Sequence, residues 1–169
     1  DASSSLSLDT TDESDLSNLT VKGDQDASVT VASGSFDVNA QTLTVDGSGL
    51  GDNTLTLGVD LTSAFDITGG SGDGDRINAD VTGGDIDDGL TTSGVENLRV
   101  TNASGQTVDL TNASGVTTVG NTDDGNVTFE ETADNLTVEL LGDGGVGDDF
   151  GTNDNVGDGD LAEQNIGNV

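Results

Sequence analysis

Hydrophobic and polar residues alternate with a period of two along most of the chain, from Leu19 onward. Successive side chains of a strand point to opposite faces of a sheet, so this alternation predicts short β-strands with one buried face. Valine and threonine dominate the alternating segments, and Gly, Asp, Asn and Ser fill the gaps, as expected for strands joined by turns. The predicted strands lie at 19–21, 29–31, 36–38, 43–45, 55–57, 59–61 and 65–67, and then at 77, 81, 98–100, 108–110, 116–119, 127–129 and 136–138.

The spacing of these strands predicts their arrangement. In the second half their centres fall near 99, 109, 118, 128 and 137, and the pentapeptide TNASG at 101–105 returns at 111–115. A short fixed period is typical of stacked solenoid coils. Two strands per coil predict an all-β parallel β-solenoid or β-roll with roughly 18–20 residues per coil. A β-sandwich, in which strands recur every 8–12 residues or so, is the alternative.

The pattern also divides the chain into three parts. Residues 1–17, rich in Ser, Asp and Thr, are predicted to be a linker or frayed lead-in, with Leu6 and Leu8 as candidates for a first strand. Residues 18–141 form the predicted solenoid. Residues 142–169 are a Gly/Asp-rich segment that is expected to continue into a longer protein, with a turn of helix predicted near its end at 161–166.

The charge of the chain limits its partners. The formal net charge is −30, from 33 acidic residues against Lys22, Arg76 and Arg99. Such a chain repels itself, so divalent cations or concentrated salt are expected to neutralise the carboxylates. A chain without a basic surface cannot contact many phosphates, which excludes nucleic acid as a partner and disfavours anionic membranes. The sequence has no apolar stretch long enough to cross a bilayer, so the protein is not expected to span a membrane.

Two absent residue types limit the chemistry. The chain contains neither cysteine nor histidine, which removes disulfides, thiolate zinc sites and the commonest general base. Paired carboxylates remain as candidates for glycoside hydrolysis, but aspartate is so frequent that any one pair carries little information. The sequence therefore predicts a protein that is not an enzyme.

The most informative motif is GGSGDGDRI at 69–77. Its glycines permit a tight turn, and its two aspartates supply the hard oxygen ligands that Ca²⁺ prefers. It follows the β-roll repeat G-G-x-G-x-D-x-U-x, with one extra residue between Gly72 and the aligned aspartate. Ca²⁺ is therefore the predicted cofactor. The ligands predicted in this turn and in two further Gly/Asp-rich turns are Asp73, Asp75, Asp85, Asp87, Asp88, Asp143, Asp148 and Asp149.

The first loop, at 69–77, is expected to take a further calcium ligand from a neighbouring coil. The candidates for this ligand are Glu96 and Asp66. The competing interpretation is that all of these turns are the solvated acidic surface of a salt-adapted protein. The sequence favours calcium in the first loop, and leaves the two interpretations even for the other loops.

Residues 93–100 (SGVENLRV), followed by 106–119 (QTVDLTNASGVTTV), resemble a known pattern. They are similar to the β-roll region of bacterial RTX-type surface-layer (S-layer) proteins and large secreted calcium-dependent adhesins. In those families a G-V/I-E-x-L-x-V strand leads into V-D-L-(S/T)-x-A-x-G-V/L-x-x-V coils. The resemblance is best over about residues 65–140. The chain departs from the pattern by having one calcium nonapeptide instead of a tandem row.

The resemblance implies a structural module of a secreted, calcium-dependent, self-assembling layer at the cell surface. The expected partners are copies of the protein itself or neighbouring surface-layer subunits, and surface polysaccharide is a further candidate. Three alternatives stay open. They are an adhesin or carbohydrate-binding β module, the non-catalytic roll of a secreted polysaccharide-active enzyme, and a salt-adapted surface glycoprotein that does not need calcium.

Overall fold

The computed structural model describes residues 4–8, 18–21, 26–32, 43–46, 51–101, 105–122, 127–131 and 136–140, and all of the regular elements in these ranges are β-strands. The strands are β1 (Ser4–Leu8), β2 (Asn18–Thr20), β3 (Ala27–Val31), β4 (Leu43–Asp46), β5 (Asn53–Asp60), β6 (Phe65–Thr68), β7 (Arg76–Asp80), β8 (Thr91–Ser93), β9 (Asn97–Thr101), β10 (Gln106–Asp109), β11 (Ala113–Ser114), β12 (Thr118–Asn121), β13 (Val127–Glu130) and β14 (Thr137–Leu140).

The strands form three parallel sheets. Sheet A has seven strands in the order β1-β3-β5-β7-β9-β12-β14, sheet B has five in the order β2-β4-β6-β8-β11, and sheet C pairs β10 with β13. Within each sheet, neighbouring strands come from successive coils, and every pairing between described strands is parallel. This is a parallel β-solenoid, which confirms the predicted fold class. The β-sandwich alternative, which needs antiparallel sheets, is wrong.

Most coils are longer than the predicted 18–20 residues, although the step from Thr118 to Thr137 is 19, and the later coils have three sides. Thr54 of β5 pairs with Arg76 of β7, 22 residues later, and Arg76 pairs with Asn97 of β9, 21 residues later. After β9 the chain adds one strand to each of the other two sheets, β10 and then β11, before it returns to sheet A. Two of the short strands, β8 and β11, were not predicted. They consist of Thr, Ser and Ala without a large apolar residue, so they show no hydrophobic alternation.

The glycines that end the two TNASG pentapeptides lie ten residues apart at two corners of one coil, as the predicted ten-residue step between strands implies. They do not occupy equivalent positions in neighbouring coils, because Gly105 precedes β10 and Gly115 follows β11 within one coil. Both glycines have a positive φ, 105° and 98°, a conformation that favours glycine. The ten-residue period thus measures the distance between two corners of one coil, and about two such steps make a full coil.

Columns of aliphatic residues inside the coils form the core. In sheet A one inward column runs through Val29, Leu55, Ile77, Leu98 and Val119, which are in register and at most 6% exposed. Phe65 and Ile67 of sheet B and Val108 and Phe129 of sheet C are buried in the same cluster. Because like side chains stack at one coil spacing, a chain with few aromatic residues still fills a continuous core.

The outward positions of sheet A are polar. In the first three coils they carry two columns of hydroxyl side chains, which are Ser5, Ser28 and Thr54 in one column and Ser7, Thr30 and Thr56 in the other. Farther along, Arg99 of β9 forms an ion pair with Glu139 of β14, with an Nη2–Oε2 distance of 2.8 Å. The residue between them in the column is Gly120, whose missing side chain leaves room for this contact.

The remaining predictions have mixed outcomes. The segment 1–17 contains β1 at the position of Leu6 and Leu8, and β1 joins sheet A. The predicted pieces 55–57 and 59–61 fall largely in one strand, β5, which ends at Asp60. The predicted strand at 36–38, the Gly/Asp-rich segment 142–169 and its helical turn lie outside the described residues. In the ranges that the structure describes, no helix is long and apolar enough to cross a membrane.

Candidate functional site

The predicted calcium turn lies at a corner of the solenoid, directly before β7 joins sheet A. The registers of sheet A place Asn53, Asp75 and Glu96 at the same position of three successive coils. One position earlier, Asp26 and Asp52 occupy the same place in two successive coils. We call the five acidic residues at this edge the acidic corner: Asp26, Asp52, Asp73, Asp75 and Glu96.

Asp75 is the most deeply buried residue of the acidic corner, with 1% of its surface exposed. Its Oδ1 accepts hydrogen bonds from both the backbone N and the side-chain Nδ2 of Asn53, each at 2.6 Å. Its Oδ2 accepts a hydrogen bond of 2.7 Å from the backbone N of Gly70. A carboxylate that accepts several N–H groups fixes the backbone around it. Asp75 thus ties the glycine turn to the preceding coil.

Glu96 links the same turn to the following coil. Its Oε2 accepts a hydrogen bond of 3.0 Å from the backbone N of Asp75. In return the backbone O of Asp75 accepts hydrogen bonds from the backbone N of Glu96 and of Asn97, at 3.1 and 3.0 Å. The carbonyl of Glu96 continues the ladder by accepting from Thr117 and Thr118. This arrangement places Glu96, one of the two residues predicted to complete the loop, at the acidic corner, whereas Asp66 lies in β6 with its side chain exposed.

Glycines of the turn allow the carboxylates of the preceding coil to approach the backbone. A Cβ atom at Gly72 would overlap Oδ1 of Asp52, and one at Gly74 would lie 2.9 Å from the same carboxylate. At the start of the turn, a Cβ at Gly69 would overlap the backbone O of Gly94. These glycines therefore serve close packing between coils, in addition to the tight turn that the sequence suggested.

Burial shifts two acidic groups at the corner. Desolvation raises the pKa of Asp75 above its ordinary value, although the hydrogen bonds from Asn53 and Gly70 partly offset this effect. Desolvation also raises the pKa of Glu96, against the hydrogen bond from the backbone of Asp75. Nearby negative charge acts in the same direction as desolvation and raises both pKa values further, from Asp52 on Asp75, and from Asp75 and then Asp73 on Glu96. The folded chain therefore disfavours the ionised forms of Asp75 and Glu96.

Two buried polar atoms beside the corner have no hydrogen-bond partner within the described part of the chain. They are Oδ1 of Asn53 and Nε of Arg76. Both residues line a small cavity of about 30 Å³, together with apolar core residues such as Leu55 and Ile77. An unpaired amide oxygen is a hard ligand of the kind that Ca²⁺ accepts.

The other predicted ligands are separate from this corner. Asp85, Asp87 and Asp88 are exposed in the turn that contains Ile86. Oδ1 of Asp85 accepts a hydrogen bond of 2.7 Å from the backbone N of Thr107, one coil later. The three predicted ligands nearest the C-terminus, which are Asp143, Asp148 and Asp149, lie outside the described residues.

The sequence did not indicate Asp26 and Asp52 as members of the acidic corner, or Asn53 as the partner of Asp75. A signal existed in their spacing, because Asp52 and Asn53 precede Gly74 and Asp75 by 22 residues, the length of one coil. With a coil of 18–20 residues that correspondence is invisible. A second polar contact of the same kind joins Asp60 to Thr82, whose backbone N donates to Oδ1 of Asp60 at 2.8 Å.

Several side chains at the acidic corner and beside it carry oxygen atoms of the type that a hard cation accepts. Asp73 lies within the glycine turn and Asp52 lies against it, and both are exposed, whereas the unpaired amide oxygen of Asn53 is buried beside the corner. No group of three or more acidic side chains in the described ranges forms a ready-made metal centre. Calcium also accepts amide and backbone carbonyl oxygens, so it does not require three acidic side chains. The assignment of Asp73 and Asp75 as ligands stays a prediction.

The fold and this corner define a class of protein, a parallel β-solenoid with carboxylates stacked at one edge of its longest sheet. Searches of protein-family models, curated proteins and solved structures find no match to the chain. Its function is therefore argued from its own residues.

Proposed function

We propose that the chain is a structural module of a secreted, self-assembling cell-surface layer, and that Ca²⁺ stabilises its fold. The observation that carries this proposal is the acidic corner, in which successive coils bring Asp26, Asp52, Asp73, Asp75 and Glu96 to one edge of sheet A. A cation there would act between coils, because the carboxylates belong to different coils. Its binding energy would add to the energy of stacking.

Electrostatics supports a cation at this edge. The acidic corner has one basic neighbour in the described ranges, Arg76, and the other described cation, Arg99, is paired with Glu139. The pKa values of Asp75 and Glu96 are raised, so the ionised forms are disfavoured in the folded chain. A bound divalent ion favours the ionised form, and it would convert an unfavourable set of charges into a stabilising one.

A solenoid also suits a structural role. The stacked coils form a continuous hydrophobic column from Val29 to Val119, and contacts between neighbouring coils supply the stability of such folds. Each additional coil lengthens the module in the direction in which the coils stack. A rigid rod of this kind can separate or join other parts of a surface protein.

A calcium titration tests the proposal. The chain contains neither Trp nor Tyr, so urea unfolding is followed by far-UV circular dichroism, first in EDTA and then at increasing Ca²⁺. We expect the unfolding midpoint to rise with Ca²⁺ and not with sodium chloride of equal ionic strength. Asp52→Asn should weaken the calcium response, whereas the matched change Asp85→Asn, at an exposed aspartate of another corner, should leave it intact. Equal midpoints in EDTA and in Ca²⁺ would contradict the calcium part of the proposal.

One observation favours a second candidate, a carbohydrate-binding or adhesive module. The outward face of the first three coils of sheet A presents two columns of Ser and Thr hydroxyls at the spacing of the coils. Neighbouring strands lie about 4.8 Å apart, and a regular array of hydroxyl groups can hydrogen-bond to a polysaccharide. Binding to insoluble polysaccharide that is lost in Thr54→Val with Thr56→Val, while the fold is retained, would favour this candidate.

A further inference from the structure

The chain contains several Asn-x-Ser/Thr tripeptides. Such a tripeptide is the acceptor for N-linked glycosylation and belongs at the surface of a secreted protein. Ser and Thr are so frequent in this chain that the tripeptide also arises by chance, and exposure in the folded chain supplies an independent criterion. The acceptor positions are Asn18, Asn102, Asn112, Asn126 and Asn135, of which Asn18 and Asn112 lie in the ranges that the structure describes.

Exposure separates these asparagines from the other asparagines of the described ranges. Asn18 and Asn112 are both exposed. The described asparagines outside such tripeptides are buried or half-buried, and they are Asn53, Asn78, Asn97 and Asn121. The amide nitrogens of two of them are held in hydrogen bonds between coils, since Nδ2 of Asn53 donates to Oδ1 of Asp75 at 2.6 Å and Nδ2 of Asn97 donates to the backbone O of Asp75 at 3.2 Å.

Asn112 lies in the turn between β10 and β11, where its amide nitrogen is weakly held. Its Nδ2, the atom that would carry a glycan, is 3.5 Å from the backbone O of Asp88. Nδ2 also lies against Gly89 of the preceding coil, which has no side chain to cover it. The hydroxyl of Ser114, the third residue of the tripeptide, donates to the backbone O of Thr92 at 3.1 Å. The tripeptide is therefore fully accessible to a transferase before β11 pairs with β8, and Asn112 stays exposed afterwards.

The corner that carries Asn112 is opposite sheet A. From β9 to β12 the chain passes from sheet A to sheet C, then to sheet B, and back to sheet A. Asn112 lies between the strands of sheets C and B, whereas the acidic corner directly precedes the strands of sheet A. A glycan on Asn112 would thus leave both the acidic corner and the outward face of sheet A uncovered.

We propose that Asn112 is the acceptor of an N-linked oligosaccharide. The donor is a lipid-linked oligosaccharide pyrophosphate. In the transfer, Nδ2 of Asn112 forms a bond to C1 of the first sugar and loses a proton, the bond between C1 and the pyrophosphate oxygen breaks, and the lipid pyrophosphate leaves. The proposal rests on the proposed function only for secretion, which brings the chain to the donor. The fold then holds the bulky, hydrophilic glycan in solvent without displacing a core residue.

Peptide mass spectrometry of the protein isolated from the cells that produce it tests the proposal. An endoproteinase that cleaves before aspartate releases residues 109–122, in which Asn112 is the one acceptor position. We expect this peptide to carry a glycan on Asn112 and none on Asn121, which is 2% exposed and serves as the control within the same peptide. Asn112→Gln and Ser114→Ala should lose the glycan, and Ser114→Thr, which preserves the tripeptide, should keep it.

Surface exposure is measured on the same cells by protease treatment of intact cells. An unmodified 109–122 peptide from protein at the cell surface would overturn the glycosylation and leave the proposed surface layer intact. An unmodified protein found only inside the cell would refute secretion and this proposal together. The glycosylated protein and Asn112→Gln, both verified as folded by circular dichroism, should show the same calcium response in urea unfolding. A response that differs between them would contradict the placement of the glycan away from the acidic corner.

Discussion

Replacing Asp75 by alanine tests whether the acidic corner holds neighbouring coils together. The substitution removes a carboxylate that is 1% exposed and accepts three hydrogen bonds. Its matched control is Asp73→Ala. Asp73 is an acidic residue of the same turn, two positions earlier, and its side chain is exposed. Both variants lose one carboxylate, so the difference between them reports the hydrogen bonds of Asp75 together with its burial.

The structure sets the size of the expected effect. Each buried donor that loses its acceptor costs about 1–3 kcal/mol. Three N–H groups lose their acceptor in Asp75→Ala, but Asn53 is only partly buried and its groups recover some hydration. The substitution also removes the desolvation cost of a buried carboxylate, and this offsets a further part of the lost stability. We therefore expect a loss of about 3 kcal/mol in the free energy of unfolding, and a change within about 0.5 kcal/mol for Asp73→Ala.

Urea unfolding in EDTA, followed by circular dichroism, measures both values without any contribution from calcium. For a chain of this size, a loss of about 3 kcal/mol lowers the thermal midpoint by roughly 6–12 °C. Asp75→Asn should fall between alanine and wild type, since its amide oxygen keeps the two bonds from Asn53 and loses the one from Gly70. If Asp75→Ala and Asp73→Ala were equally stable, the view of Asp75 as an anchor between coils would be refuted.

Two further predictions concern the same corner. Gly69→Ala should destabilise the protein by about 3 kcal/mol or more, because its Cβ would overlap the backbone O of Gly94. An alanine at the exposed Gly84, where a Cβ meets no atom within 4 Å, should cost less despite its φ of 134°, as comparative urea unfolding would show. The raised pKa values of Asp75 and Glu96 mean that the folded chain binds protons more tightly than the unfolded chain. Stability in EDTA should therefore be higher below the unfolded pKa values, near 4, and should decline as pH rises through the folded values. Glu96→Gln, which keeps an acceptor for the backbone N of Asp75, should make this decline shallower, and an unchanged pH profile would contradict the shift.

The fold class was predictable because hydrophobic and polar residues alternate in the strands that contribute large apolar side chains to the core. Leu55, Ile77 and Leu98 each lie in a predicted strand and occupy one inward column. The strands β8 and β11 escaped prediction because they are built from Thr, Ser and Ala. These strands are positioned by pairing with the strand of the previous coil, and their own residues show no pattern that would predict this pairing. Thr92 is in register with Ile67 and buried without any hydrophobic signature of its own.

The site was only partly predictable for a related reason. Asp75 and Glu96 could be linked from the sequence, because the glycine turn marks the first and the strand motif at 93–100 marks the second. Asp52 and Asn53 could not, since their role depends on the coil length, which was underestimated. A contact between coils can be predicted only when the register of the neighbouring strands is known. This register is set by the tertiary structure and cannot be read from one local segment. The predicted ligands Asp85, Asp87 and Asp88 also belong to a Gly/Asp-rich turn, but the structure places them in a different turn from the corner.

The charge distribution limits how far a bound cation can act. The acidic corner lies beside the strands β3, β5, β7 and β9, and its carboxylates belong to successive coils. Charges farther apart than a Debye length of about 8 Å are largely screened at physiological salt. A cation at the corner would therefore act mainly on the carboxylates of the corner itself, and only weakly on the rest of the net charge of −30. Its effect on stability would thus be local, which is why comparing Asp52→Asn with Asp85→Asn, in another turn, can separate it from a general effect of salt.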